Sequence, residues 1–322
     1  MKARPGNMLD KGIFLAFIVV ISLYCAPLAR GYTFTAIDYP GAYRTHAYGI
    51  NDSGQIVGYY GDGTGYHGFL YEGGDFTAID YPGAYRTHAH GINDLGEIVG
   101  GYGDGTGDHG FLYEGGSFTV IDYPGAYLTY ANGINDSGQI VGYYGDGTGY
   151  HGFLYEGGDF TAIDYPGADQ TYAHGINDSG QIVGYYVDGT GDHGFLYDGG
   201  SFTAIDYPGA EQTHAYGIND SGQIVGYYRD GTGDHSFLYE GGGFTAIDYP
   251  GAEQTHAYGI NDSDQIAGYF VDGTGCHGFL SWPSILYGDF GPAGLWMHDE
   301  SGWSQISPSN AESMVVPLQT LR

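Results

Sequence analysis

Residues 34–74, FTAIDYPGAYRTHAYGINDSGQIVGYYGDGTGYHGFLYEGG, return nearly unchanged every 42 residues. FTAIDYPGA begins at Phe34, Phe76, Phe160, Phe202 and Phe244, and as FTVIDYPGA at Phe118. GIND begins at Gly49, Gly91, Gly133, Gly175, Gly217 and Gly259. One copy of such a period cannot bury its own apolar face, so copies must pack on one another as a propeller, solenoid or array. Glycine supplies 62 of the 322 residues, a content that would also suit a low-complexity coil. Here the glycines fall at fixed places between short apolar runs, which is turn punctuation.

Within one copy, alternating patterns are separated by turn signals and nothing shows helical spacing. Residues 45–51 (THAYGIN) read as one strand and 55–60 (QIVGYY) as the next, joined by the tight turn Asn51-Asp52-Ser53-Gly54. Residues 67–71 (HGFLY) form a third strand after the loop 61–65, and residues 76–81 (FTAIDY) a fourth after Glu72-Gly73-Gly74. Tyr81-Pro82-Gly83-Ala84 then suits a type II turn. The fold class expected is therefore all-β: a six-bladed β-propeller of four-stranded, 42-residue repeats. The chain opens on a fourth-type strand, residues 34–39, and its array ends on a third-type strand, residues 277–280. Pairing these two completes the last blade, closes the ring over residues 32–281 and removes two exposed edges. A β-solenoid is the rival, but its coils do not require tight antiparallel hairpins.

In this phase THAYGIN is innermost, with Ala47 and Gly49 allowing close approach, and FTAIDY is outermost. The turns 51–54 and 72–74 share one face. The blade-to-blade loop 39–44 and the glycine-rich loop 61–66 share the other.

Lys2, Arg4 and Lys11 precede an apolar run over residues 13–28, and Ala29-Arg30-Gly31 offers small residues for cleavage. Residues 1–31 read as a secretory signal peptide, with an uncleaved anchor as the alternative. After cleavage no membrane span remains and the protein is exported, secreted or held at the cell surface. All lysines leave with that segment, so Arg44, Arg86, Arg229 and Arg322 are the basic residues remaining besides histidine. The formal net charge of the whole chain is already −30. Such a surface repels phosphate backbones and argues against nucleic-acid binding. Cys276 alone stays in the mature chain, so no intramolecular disulfide forms. Residues 282–322 leave the repeat pattern, and residues 294–298 with 302–306 read as a further hairpin, an appendage or truncated second module.

The repeats resemble the bacterial extracellular family named for its His-Ala-Phe motif, the HAF repeats. Its units pair G-I-N-x-x-G-x-I/V-x-G with a downstream H-A-F-L. Here residues 49–58 read GINDSGQIVG, followed by His67-Gly68-Phe69-Leu70, and the other copies are similar. The middle residue departs from the name: it is glycine in five copies and serine in His235-Ser236-Phe237. The small-for-small exchange is expected to leave packing intact. The resemblance implies an exported repeat protein, and the family brings no established activity, substrate or catalytic residues.

Each candidate chemistry has a plainer alternative. His67, His109, His151, His193, His235 and His277 recur once per blade, too far apart to converge on one ion, and read as hydrogen-bonding structural residues. His46, His88, His214 and His256 alternate with Tyr130 and Tyr172 as polar lining of the innermost strand. Asp38 and its counterparts can bind turn amides before Tyr-Pro-Gly, and Asp264 can take the left-handed turn position held by glycine elsewhere. Asp62, Asp104, Asp146, Asp188, Asp230 and Asp272 sit in D-G-T-G loops and are the calcium candidates, with a simple turn role as the alternative. No other cofactor is expected. D-G-T-G lacks the lysine and helix of a phosphate loop, and no G-x-S-x-G or H-E-x-x-H occurs. Six near-copies supply like groups six times, which suits multivalent binding better than one reaction centre.

The copies disagree mainly on one face. Tyr43-Arg44 becomes Tyr85-Arg86, Tyr127-Leu128, Asp169-Gln170, Glu211-Gln212 and Glu253-Gln254. Gly61 becomes Val187, Arg229 and Val271, and Tyr66 alternates with aspartate and returns as Tyr150. Relaxed constraint on loops is one reading. The other is a binding face, with Tyr43, Arg44, Tyr66, Tyr85, Arg86, Tyr127 and Tyr150 as ligand contacts suited to a glycan or a surface protein. The expectation is an exported, non-enzymatic binding propeller. A structural scaffold is the alternative, and a hydrolase or lyase ranks last.

Overall fold

The computed structural model describes residues 31–284, and the backbone of 288–289, 295–299 and 302–306. The signal segment 1–30 lies outside the described residues. Every described element is a β-strand. The first are β1 (Gly31–Ile37), β2 (Arg44–Ile50), β3 (Ile56–Gly61), β4 (Tyr66–Glu72) and β5 (Asp75–Ile79). The strands β2 to β5 form an antiparallel meander, and each later copy repeats it. The turn of the first hairpin closes by Gly54 N–H donating to Asn51 O (2.9 Å), with Gly54 at φ 78°. Asp264 holds the corresponding left-handed position at φ 57°, as its short polar side chain allows.

The first and last strands of the repeat array pair. The last copy's third strand, Gly275–Ser284, takes β1 as its antiparallel partner, from Gly31 opposite Ser284 to Ile37 opposite Gly278. This strand runs through Trp282 and Pro283 to Ser284, beyond the pattern break expected at residue 281, because β1 begins early enough to pair with it. The expected outer strand 76–81 is likewise trimmed to Asp75–Ile79, since Asp80 turns away to a histidine. Beyond the repeats, Leu295–Asp299 and Gly302–Ile306 pair antiparallel, as the sequence pattern suggested.

Packing joins each copy to the next. Val57 of the first copy clusters with Ile79, Ala89, Ile98 and Phe111, and Ala267 of the last copy clusters with Ile56 and Phe69 of the first. The six phenylalanines of the HGF motif are fully buried. Burying one such ring stabilises by about 1.5–3 kcal/mol relative to exposure. Tyr39, in the loop after β1, stacks on Tyr60 at 3.5 Å, and each later copy repeats the contact, with Phe270 as the partner of Tyr249.

Two series of hydrogen bonds run from copy to copy. Asn51 Nδ2 donates to Asn93 O (3.1 Å), Asn93 to Asn135 O, Asn135 to Asn177 O, Asn177 to Asn219 O and Asn219 to Asn261 O. Asn261 Nδ2 then donates to Asn51 O (2.9 Å). In parallel, each GIND aspartate amide donates to the next copy's aspartate Oδ1, ending with Asp262 N–H to Asp52 Oδ1 (2.8 Å). Asp52 is thus a link between copies as well as a hairpin residue.

One substitution changes the backbone. A Cβ at Gly68 would lie 2.5 Å from Ile79 O, and the other HGF glycines are equally confined. Ser236 stands at that place, and its outer strand ends early, at Ala246. Its hydroxyl accepts Ala257 N–H at 2.8 Å. The core is otherwise kept: Phe237 and Ile247 stay buried, and Ile247 N–H donates to Ser236 O (2.9 Å).

Candidate functional site

The variable loops come in two forms. In the first three copies the second strand ends at Gly61, Gly103 or Gly145. In the last three it continues one residue further, to Asp188, Asp230 or Asp272, which pairs with Gly191, Gly233 or Gly275. The reason is steric. A Cβ at Gly61 would sit 2.8 Å from the Tyr43 ring, and at Gly103 and Gly145 it would meet Tyr85 and Tyr127 at 2.7 Å. Tyrosine in the blade-to-blade loop thus lies over a glycine, where a Cβ would displace the ring's end, and Val187, Arg229 and Val271 accompany Asp169, Glu211 and Glu253. The two variable positions change together.

Tyr43, Tyr85 and Tyr127 are 56%, 60% and 57% exposed, on three consecutive copies. The Arg44 guanidinium lies 5.2 Å from the Tyr43 ring centre and 5.8 Å from that of Tyr66. A hydrogen bond to Tyr66 raises the Tyr43 pKa, and one to Tyr150 does the same for Tyr127. Arg86 lies over Tyr85 (5.6 Å) and donates to Asp108 (2.5 Å) and to Tyr130 Oη (3.2 Å). The seven sequence candidates thus form three adjacent platforms: Tyr43–Arg44–Tyr66, Tyr85–Arg86 and Tyr127–Tyr150.

The calcium candidates have another occupation. Asp62 Oδ1 accepts Thr64 N–H (2.7 Å) and the Thr64 hydroxyl (2.6 Å), which holds its pKa below the usual carboxylate range. Asp104, Asp146, Asp188, Asp230 and Asp272 do likewise within their own loops. Among the described residues no group of three or more His, Cys, Asp or Glu side chains is placed to hold a metal ion. Each loop offers one carboxylate, and its bonds to threonine are those of the simple turn role.

Thr64 Oγ1 also meets His67 Nε2 (2.8 Å), whose Nδ1 faces Asp80 (3.1 Å). The same Asp–Thr–His–Asp series recurs in all copies and closes with His277 against Asp38 (3.0 Å). The repeated histidines are hydrogen-bonding residues, as their spacing suggested. Asp38 and its counterparts serve those histidines and not the turn amides. The turn amide of Tyr39 donates to Thr45 Oγ1 instead (3.0 Å).

The innermost strand carries a bulge in every copy. In the second copy Ala89 pairs with Gly100 and Gly91 with Val99, leaving His90 as an extra, bulged residue. Asn132, His174, Tyr216 and Tyr258 are extra in the same way, and the first copy shifts register between Ala47 and Ile50, around Tyr48. A bulge re-aims its side chain. These six residues line an axial cavity of ≈ 400 Å³. Tyr216, Tyr258 and Tyr48 follow one another, with ring centres 4.3 and 4.5 Å apart, while His90, Asn132 and His174 make the opposite arc. The expected lining, by contrast, is largely tucked between copies: His46 is buried and lies 4.6 Å from Tyr59 and 4.1 Å from Tyr269. Of that series only His88 and Tyr130 reach the cavity. Burial pushes His88 down to about 3 and His90 to about 4, lowers His174 well below the ordinary range, and raises Tyr48, Tyr216 and Tyr258. The signal was present in the repeats as Tyr, His, Asn, His, Tyr, Tyr, on the same face by alternation as the His46 series, and the bulge decides which of the two series reaches the axis.

No protein-family model and no curated protein matches this chain. Solved structures similar to it include TolB from Acinetobacter baumannii, with 12% identity, TM-score 0.53, and 76% of this chain and 65% of that one covered. A streptogramin B lyase covers 87% of this chain and 89% of its own at 12% identity and TM-score 0.48. A Trypanosoma rangeli sialidase in complex with sialic acid covers 79% and 59% at 10% identity and TM-score 0.47. The chain spans just under two thirds of TolB's length. The likeness to TolB, with the all-β repeated architecture, gives the fold as a β-propeller. The activities of the lyase and the sialidase do not transfer at such identities.

Proposed function

We propose that this chain is an exported, non-enzymatic, six-bladed β-propeller of the HAF-repeat type that binds carbohydrate through its tyrosine platforms. Support for six blades in a closed ring comes from β1 pairing with Gly275–Ser284 and from the asparagine series that returns to Asn51. Support for export is the charged and apolar pattern of residues 1–31. The observation that carries the binding role is the paired change at the loop face. Tyrosine occurs at this position where glycine leaves space beneath it, so the two positions vary together in support of a selected, exposed aromatic face. Rigid, exposed tyrosines stack on the apolar faces of sugar rings at small entropic cost. Three neighbouring platforms further allow multivalent capture of a polymer.

The test is a panel of immobilised glycans probed with the chain from residue 31 onward. Saturable binding is expected, falling at least about tenfold, or about 1.4 kcal/mol, when Tyr43, Tyr85 and Tyr127 are all replaced by alanine. Binding that survives the triple replacement removes the platforms from the mechanism. An absence of glycan binding leaves the scaffold role in front.

A further inference from the structure

The axial cavity is the second place where near-identical copies cease to be equivalent, and its chemistry differs from that of the loop face. We propose that it binds a small organic ammonium ion, held between the wall of Tyr216, Tyr258 and Tyr48 and the wall of His90, Asn132 and His174. The inference goes beyond carbohydrate binding at the loop face and does not depend on it.

Volume is the first argument: ≈ 400 Å³ lies within the range of small-molecule sites. Hydrogen-bond accounting is the second. His90 Nδ1 lies 3.2 Å from Ala131 O. A carbonyl only accepts, so Nδ1 carries the proton and Nε2 keeps a lone pair. Asn132 Nδ2 donates to Ala173 O (2.9 Å), and its side chain also bonds His90 on the same arc. His174 Nε2 and His88 Nε2 are buried without a hydrogen-bond partner. An unmade bond of this kind costs about 1–3 kcal/mol, and a ligand carrying N–H donors can recover it after a small tilt of the ring. His90 Nε2 therefore gives the polar wall an acceptor for such a donor.

Charge selects among donor-bearing ligands. No Asp, Glu, Lys or Arg lines the cavity. The guanidinium nearest to its lining, Arg86, is paired with Asp108 and reaches only the Tyr130 hydroxyl. Along the axis, a collar formed by Ile50 and its counterparts separates the cavity from the ring of Asp52, Asp94, Asp136, Asp178, Asp220 and Asp262. Six carboxylates on the axis of a chain with net charge −30 place the cavity in a negative field that rejects anions and draws cations. The tyrosine wall supplies three aromatic rings, and a ring face turned to a cation attracts it by about 0.5–2 kcal/mol when water is excluded. A primary ammonium satisfies both walls, whereas a neutral sugar uses only the acceptors.

Calorimetric titration of the full chain with n-butylammonium, and with methyl glucoside as the neutral control, tests the assignment. Saturable binding of butylammonium is expected, with methyl glucoside at least about tenfold weaker. Asn132→Tyr and His174→Tyr install the residue that three other copies carry at that position. Each should weaken butylammonium at least about tenfold while thermal melting and glycan binding stay unchanged. The triple replacement of Tyr43, Tyr85 and Tyr127 should leave it unchanged. No saturable heat at about 10 mM butylammonium, equal binding of methyl glucoside, or full affinity in both folded variants would overturn the proposal.

Discussion

Single residues here are fixed by how closely two backbones approach. A Cβ on Gly142 would lie 1.9 Å from Tyr130 O, beside the bulge that sends Asn132 to the axis. Gly142→Ala cannot be absorbed by side-chain motion, because the obstacle is a carbonyl. We expect destabilisation of about 1–3 kcal/mol or more, read as a lower denaturation midpoint, and a loss below 0.5 kcal/mol would mean that the bulge is pliant. Asn135 is buried, accepts Gln139 N–H at 3.0 Å and donates to Asn177 O at 3.1 Å. Asn135→Ala strands both partners, so a cost of about 1–3 kcal/mol should appear in the same measurement.

Elements depend on side chains that tie loop to strand. Thr64 sits between Asp62 and His67, and His67 between Thr64 and Asp80, so one threonine anchors the glycine-rich loop to the outer strand's end. Thr148→Val in the third copy keeps shape and removes the hydroxyl of the same series. Global stability should fall by no more than about 1 kcal/mol, because the site is exposed, while amide exchange quickens locally in residues 146–149. Unaltered exchange there would show that the loop is held by its backbone alone. Much of this was legible beforehand: His67 recurs at a spacing that forbids metal convergence and suits structural bonds. The partner of Asp80 was not legible, because the turn amide and a histidine thirteen residues back compete for it, and only the pairing of β4 with β5 brings the histidine near.

For the molecule as a whole, two measurements address closure and the axis. Removing residues 31–37 strips Gly275–Ser284 of its partner and exposes Ile37's place in the core shared by the first and last copies. A closed ring should lose several degrees in Tm. An open array, whose stability is spread over neighbouring contacts, should hardly respond. The second measurement is pH. Burial lowers His46 and His88 to about 3 and His90 and His256 to about 4, against 6.5 when unfolded. Below pH 6.5 the unfolded chain takes up protons that the folded chain refuses, so stability drops as pH falls towards 4 and levels off beneath the folded values. Each such histidine contributes up to about 3 kcal/mol to that loss. Asp52 and Asp136, raised by burial and by neighbouring carboxylates, act with the opposite sign nearer their own range. Thermal melts at pH 7.5 and pH 4.5 should therefore differ widely, and equal melts would mean that these imidazoles are open to solvent.

The 42-residue repeat settled the all-β unit, its four strands, the hairpin turns and the sharing of loops between two faces. Those are local matters: alternation, glycine and proline placement, and the phase in which the array starts and stops. Which side chains line the axial cavity was decided by tertiary structure. Its lining comes from one extra residue per inner strand, and a bulge is a property of two paired strands, absent from the alternation of either one. The coupling of Tyr43 to Gly61 was likewise visible as two separate variable positions. It became one feature only when the fold laid the ring of one over the backbone of the other.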